Sequence, residues 1–172
     1  MKVLSIEESK KEIEKLGLPQ IYQDILDKKD DLFDYWRYPH WLYSDPAYLD
    51  SYISELGAYD EIFPLCEEGG IAALVAVARK DNTTHYIHMV YEDPSSLEVY
   101  DSYQALLFDL FMFYWESKDG ESDLQDLGDK LGYKYAKETN EFLYEINGIY
   151  GSDEFDSRIR EFKNQLNQDN DS

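Results

Sequence analysis

A run of nine residues near the middle of the chain, IAALVAVAR from Ile71 to Arg79, is almost continuously apolar. Such a run predicts a central strand of a sheet, covered on one face and shielded on the other. Its alanines leave room for a helix to pack closely against it. The turn KDNTT follows, because Asp81-Asn82 tolerates left-handed backbone. HYIHMVYED, from His85 to Asp93, then predicts the second strand of a hairpin.

The segment before this strand predicts a weaker strand and a turn. IFPLC, Ile62 to Cys66, is interrupted by Pro64, which favours an edge strand or a strand start. EEGG, Glu67 to Gly70, follows directly and predicts a tight turn into the central strand.

Helices are expected on both sides of the strands. Ser5 and Glu8 form a capping-box pattern that opens the first helix, which Gly17 closes. The others are predicted from Pro19 to Leu26, from Ser102 to about Lys118 with Asp101 and Gln104 as a capping pair, from Asp123 to Leu131 before Gly132, and from Ser152 to about Leu166. YKYAKETNEFLYEI, Tyr133 to Ile146, is interpreted as two strands around a turn at Glu138–Glu141.

This order of helices, antiparallel strands and helices predicts an α+β fold with a mostly antiparallel sheet flanked by helices. The chain has 172 residues, a length typical of one domain. We expect that domain to span residues 1–166, followed by a disordered tail over residues 167–172.

Charge restricts the partners. The formal net charge is −21, which repels nucleic acid phosphates and anionic membrane surfaces and attracts cations and basic proteins. A simple solubility charge is the alternative. The first residues lack the apolar region of a signal peptide, and no run approaches the length that spans a bilayer. We therefore expect a cytoplasmic protein that does not bind nucleic acid or membranes directly.

No pattern for catalysis or metal binding is found. His85 and His88 are three apart in a strand, so they point to opposite faces and cannot chelate one metal. Cys66 precedes two glutamates, whose charge disfavours a thiolate. No carboxylate spacing matches a calcium loop, and EEGG lacks the Lys-Ser/Thr of a phosphate-binding loop. We predict that the protein is not an enzyme and has no catalytic residue, metal site or cofactor.

The segment FDYWRYPHWLYSDPAYLDSY, Phe33 to Tyr52, contains eight aromatic rings and two prolines. It has no regular period, so we expect a loop over one edge of the sheet, and a helix that could start at Ser44 or Asp45 before Pro46 and run to Gly57. Phe33, Leu42 and Leu49 are expected to contribute to the core. The remaining rings, bordered by aspartates, are the preferred partner-facing surface.

Several of these segments together resemble the SUKH superfamily, which is related to yeast cell-wall synthesis regulators and rich in bacterial immunity proteins. The resemblance spans Ser5 to Glu116, and residues 119–166 form a C-terminal extension. One matching motif opens the second helix, at Leu18, Pro19, Tyr22 and Leu26. Another is PLCEEGG before the central strand, and a third opens the helix after the sheet, at Ser102, Tyr103, Leu106 and Leu107.

The resemblance implies a SUKH-like α+β fold without a cofactor, and a role in binding and neutralising a cognate bacterial toxin. Many such toxins are basic nucleases, and an acidic surface would steer a basic partner while aromatic side chains supplied affinity. The expected partner-binding residues are Asp34, Tyr35, Trp36, Trp41, Asp45, Glu67, Glu68, Glu92 and Asp93.

Three alternatives stay open. An acidic DNA mimic that inhibits a nucleic-acid-binding protein needs carboxylates spaced like duplex phosphates. An enzyme needs convergent acidic or histidine side chains in a deep pocket. A non-catalytic regulatory or scaffold protein cannot be separated from a toxin inhibitor by this sequence.

Overall fold

The computed structural model describes residues 1–29, 36–44, 55–68, 73–117 and 124–169. The chain divides into two compact units, Met1–Asp101 and Ser102–Ser172. The first contains a mixed sheet with helices, and the described residues of the second are largely helical. The predicted α+β fold is thus confirmed, whereas a single domain over residues 1–166 stays a prediction.

The sheet of the first unit is mostly antiparallel, as predicted. Its strands in the described residues are β1 (Lys2–Val3), β2 (Trp36–Arg37), β3 (Glu61–Glu68), β4 (Ala73–Lys80), β5 (Thr83–Val90) and β6 (Glu98–Tyr100). The order is β1-β3-β4-β5-β6, and β2 also pairs with β3. β1 runs parallel to the start of β3, and every other pairing is antiparallel.

β4 is the central strand that the apolar run predicted. It pairs with β3 on one side and β5 on the other, and residues 73–78 are buried. Leu74, Ala76 and Ala78 belong to a core cluster on one face, which also contains Ile87 and Met89 of β5. Leu42 belongs to the same cluster, as expected for its segment, whereas Phe33 and Leu49 lie outside the described residues.

The strand predicted over Ile62–Cys66 is observed, but it is neither an edge strand nor a strand that starts at Pro64. Glu67 and Glu68, which were predicted to lie in a turn, also belong to it. β3 has eight residues and is bordered on both sides. Pro64 lies at a register shift, between the part of β3 that pairs with β1 and the part that pairs with β2. A proline lacks an N–H for the ladder, and a bulge is a position in a sheet where it is tolerated.

Two helices of the first unit begin near their predicted positions. α1 (Ile6–Lys15) has the predicted capping box, and the hydrogen bonds from Lys2 and Ser5 lower the pKa of Glu8 to about 2. α2 (Gln20–Leu26) begins after Pro19. A third helix, α3 (His40–Ser44), lies in the part of the segment that was predicted as a loop. Most of the helix predicted from Ser44 or Asp45 to Gly57 lies outside the described residues.

Arg79 at the end of β4 joins α1 to the sheet. Its guanidinium lies 2.6 Å from Glu12 of α1 and 3.3 Å from Glu61 of β3. Lys10 of α1 also forms an ion pair with Asp27, which follows α2. These contacts fix the two helices and the strand end by charge as well as by packing.

The helices of the second unit are α4 (Tyr103–Ser117), α5 (Gln125–Leu131), α6 (Ala136–Ile146) and α7 (Asp153–Asp169). α4 is buried on nearly all sides, as its apolar sequence predicted, and its Asp109 is ion-paired with Lys163 of α7. The predicted capping pair was wrong, because Ser102 Oγ accepts the N-terminal hydrogen bond from Ala105. Gln104 instead bonds to the backbone of Gly132 and Lys134.

The two strands predicted over residues 133–146 were also wrong. Residues 136–146 form α6, whose buried side chains are Ala136, Thr139, Leu143 and Ile146. Their spacing is that of one helical face. The period of the buried positions is therefore that of a helix and not of strands.

Candidate functional site

The predicted partner-binding residues separate into three groups. Asp34, Tyr35 and Asp45 lie outside the described residues, as does the side chain of Trp41. Trp36, Glu67 and Glu68 are buried, and Glu92 and Asp93 are exposed. The structure therefore does not place the described members on one accessible surface.

Trp36 belongs to the core. Its side chain is 1% exposed, and its ring stacks on Tyr22 of α2 with the centroids 5.9 Å apart. The strand β2 places it opposite Glu68 in the ladder. Its expected role as a partner contact is therefore corrected, because the ring has no surface left to offer.

Glu67 is a buried carboxylate at the end of β3. The hydroxyl of Tyr91 donates a hydrogen bond to its Oε1 at 2.8 Å, and Arg37 Nε lies 3.8 Å from its Oε2. Arg37 is its cross-strand neighbour in β2. Burying a carboxylate is costly unless it is paired, and these partners reduce the cost. The expectation that Glu67 contacts a partner is therefore corrected.

Glu68 is fully buried on the face of β3 opposite Glu67. The expectation that it contacts a partner is therefore corrected as well. Its Oε2 lies 3.3 Å from His88 Nε2 on β5, two strands away. Glu68 is opposite Ala73 in the intervening β4, and the small alanine side chain leaves room for the contact. Its Oε1 is buried without a hydrogen-bond partner among the described residues.

His88 continues this row of polar groups toward β6. Its Nδ1 lies 3.9 Å from Glu98 Oε2, and Glu98 in turn accepts a hydrogen bond from the hydroxyl of Tyr100. His88 and Glu98 are direct cross-strand neighbours. We call Glu68, His88, Glu98 and Tyr100 the polar ladder.

The polar ladder holds His88 in its charged form. Burial lowers the pKa of the imidazole, but hydrogen bonds to Glu68 and Glu98, with their negative charges, outweigh burial and raise it to about 9. The imidazolium is therefore present at neutral pH, where it balances the charge of the buried Glu68. The arrangement suits stabilisation of the sheet, since a general base near neutral pH needs a pKa close to 7.

This shift predicts an alkaline loss of stability. The folded pKa of His88 is raised above its ordinary value near 6.5, so its contribution is complete below pH 6.5 and is lost as pH rises through about 9. We expect the free energy of unfolding to fall by about 2 kcal/mol over this window, as measured by urea denaturation. The raised pKa of the Cys66 thiol also lowers the free energy of unfolding as pH rises above about 8.5. The difference between the wild type and His88→Gln therefore isolates the contribution of the imidazole. Equal slopes for the two proteins would contradict the assignment.

The surroundings of Cys66 and His85 do not favour a chemical role for either side chain. Burial raises the pKa of the Cys66 thiol well above its ordinary value, and the charges of Glu68 and Glu67 add to this, so the thiolate is disfavoured. His85 lies 3.5 Å from Asp101, on the face opposite His88. Within the described residues no group of three or more His, Cys, Asp or Glu side chains could hold a metal ion.

Exposed carboxylates border β5 and β6. Glu92 and Asp93 follow β5, Glu98 begins β6, and Asp101 follows it with its side chain 99% exposed. Val99 between them is 47% exposed. We call Glu92, Asp93, Glu98 and Asp101 the acidic edge; it retains the two predicted residues that are accessible.

Sequence reasoning missed Glu98 and Asp101 as members of this edge and His88 as the partner of Glu68. A strand signal over residues 98–100 was absent, because three residues are too few for a hydrophobic period to appear. The contact between Glu68 and His88 depends on two strand registers, for which the sequence has no local signal.

Among the described residues, no helix has both the length and the apolar character needed to cross a membrane. Comparison of the chain with protein-family models, curated proteins and solved structures finds no match.

Proposed function

We propose that this chain is a non-catalytic binding protein that neutralises a cognate basic protein toxin, in the manner of the immunity proteins that its motifs resemble. The observation that carries the proposal is the acidic edge, which presents four exposed carboxylates in a chain of net charge −21.

The charge distribution supports a protein partner of opposite sign. A carboxylate-rich surface raises the rate at which a basic protein encounters it and disfavours acidic competitors. Val99 of β6 is also exposed, and it adds an apolar side chain to this edge of the sheet.

The rigidity of this region also supports binding. Asp93 Oδ1 accepts a hydrogen bond from the backbone N–H of Ser95 at 3.1 Å, and the hydroxyl of Ser96 accepts one from Val90 at 2.9 Å. The polar ladder fixes Glu98 from within the sheet. A preorganised surface loses little conformational freedom on binding, which favours affinity.

A charge-reversal experiment tests the proposal. The probe is the protein encoded by the adjacent gene, purified in an inactive form, with association measured by surface plasmon resonance. We expect a 1:1 complex, and we expect Glu92→Lys/Asp101→Lys to reduce the association rate about tenfold at low salt. The reason is that two attractive charges become repulsive.

The matched control is Glu14→Lys/Glu161→Lys, which changes the net charge equally at exposed positions on α1 and α7. It should reduce the association rate much less. Absence of a complex at micromolar concentration would overturn the proposed function. Equal effects of the two double variants would overturn the acidic edge as the contact surface.

A further inference from the structure

Two tyrosines of the second unit are exposed to an extent unusual for aromatic side chains. Tyr144 on α6 is 79% exposed, and Tyr150, which follows the 3-10 turn Asn147–Ile149, is 56% exposed. Tyr144 lies on the outward face of α6, since the helix buries the face that carries Leu143 and Ile146. The ring therefore adds nothing to the core of the unit.

Tyr150 is held in place while its outer surface stays open. Its ring makes T-shaped contacts with Phe155 at 5.1 Å and with Trp115 at 5.9 Å. A Cβ added at Gly148 or Gly151 would meet nothing within 4 Å, so these two positions of the turn are not packed against other parts of the chain. A ring fixed in this way loses little entropy when a partner binds to it.

The surroundings of both rings are acidic. Residues 137–158 contain six acidic residues, all exposed, and two basic ones, so acidic residues are in excess by four. Lys137 lies 3.8 Å from Glu141, and Arg158 lies 2.7 Å from Glu145. Asp153, Glu154 and Asp156 also stabilise the N-terminus of α7, which accounts for half of the charge. The other half lies on the outward face of α6, where Glu141 is three residues before Tyr144 and Glu145 is next to it.

We propose that Tyr144 and Tyr150, with Glu141 and Glu154, form a tyrosine patch that docks an arginine-rich segment of a protein partner. The proposal rests on the proposed function for the basic character of that partner. A guanidinium stacks on an aromatic face and pairs with a carboxylate at the same time. The charge of the patch disfavours nucleic acid, and an apolar partner would have to desolvate the carboxylates.

The test uses a 12-residue peptide of alternating arginine and glycine, with binding measured by isothermal titration calorimetry. We expect Tyr144→Ala/Tyr150→Ala to raise Kd at least fivefold although the net charge is unchanged. Tyr144→Phe/Tyr150→Phe keeps both rings and should bind as the wild type does. A lysine-glycine peptide of equal charge should bind at least threefold more weakly, because an ammonium lacks the planar stacking surface.

Controls separate docking from folding and from general attraction. Thr83→Ala removes an exposed neutral side chain of β5 and should leave Kd unchanged. Tyr144→Ala alone avoids the ring contacts of Tyr150 and should still weaken binding about twofold or more. If the alanine variants bind the arginine peptide as tightly as the wild type, attraction is by charge alone and the patch is overturned.

The outcome is distinct from that for the proposed function. Peptide binding that depends on the tyrosines, without a complex with the neighbouring basic protein, would support the patch and overturn the proposed function. If the tyrosine substitutions change neither the complex with the neighbouring protein nor the affinity for the peptide, the proposed function is supported and the patch is overturned.

Discussion

Replacing His88 with leucine is expected to lower the free energy of unfolding by about 3–5 kcal/mol at pH 7. The substitution removes the cation 3.3 Å from Glu68, a carboxylate with no exposed surface. Breaking a buried pair by removing one member leaves an uncompensated charge, which costs more than the pair contributes to stability. Denaturant unfolding provides the measurement, and hydrogen exchange of the β4 amides should locate the loss in the first unit.

The paired variant distinguishes charge from packing. In Glu68→Leu/His88→Leu both charges are absent and apolar groups replace them, so much of the lost stability should return. If the double variant is as unstable as His88→Leu alone, shape rather than charge explains the effect. A His88→Leu protein as stable as the wild type would contradict the polar ladder as a stabilising network.

Replacing Gly128 with valine is expected to destabilise the second unit by about 3 kcal/mol, because the added atoms overfill a close helix contact. Gly128 lies within α5, and a Cβ there would be 2.2 Å from Ala136 Cβ and 3.3 Å from Phe111 Cζ. Both neighbours are buried, so neither can move without disturbing the core. The gain in helix propensity from valine over glycine is only about 0.5 kcal/mol.

Gly148→Val is the matched control, since a Cβ at Gly148 meets nothing within 4 Å. It should leave the thermal midpoint nearly unchanged, whereas Gly128→Val should lower it by several degrees. Similar midpoints for the two variants would show that α5 and α6 are not in the close contact described.

The acidic residues of this chain serve two different purposes. Glu67 and Glu68 are inside the sheet, where Glu67 is hydrogen-bonded to Tyr91 and Glu68 lies beside His88 of β5. The carboxylates of the acidic edge and the tyrosine patch lie on the surface. The binding proposals use only the second set. Substitutions in the two sets should therefore separate stability from binding, except at Glu98, which also belongs to the polar ladder.

Local signals in the sequence were sufficient for much of the fold. The capping box at Ser5 and Glu8, the apolar strand over residues 73–80 and the buried helix over residues 103–117 were predicted close to their observed positions. In each case the signal lies within one element, where side-chain hydrogen bonds or continuous apolar character act over a few residues.

The tertiary structure alone decided the candidate site. Trp36, Glu67 and Glu68 have the composition of a contact surface, but strand pairing places them inside the first unit. The partner of Glu68 is 20 residues away along the chain, and only the registers of β3, β4 and β5 bring the two together. Composition and local period therefore determined the α+β class and most of its helices. Which charges are buried and which face outward depended on long-range pairing, because a shift of one residue in a strand moves every side chain to the other face.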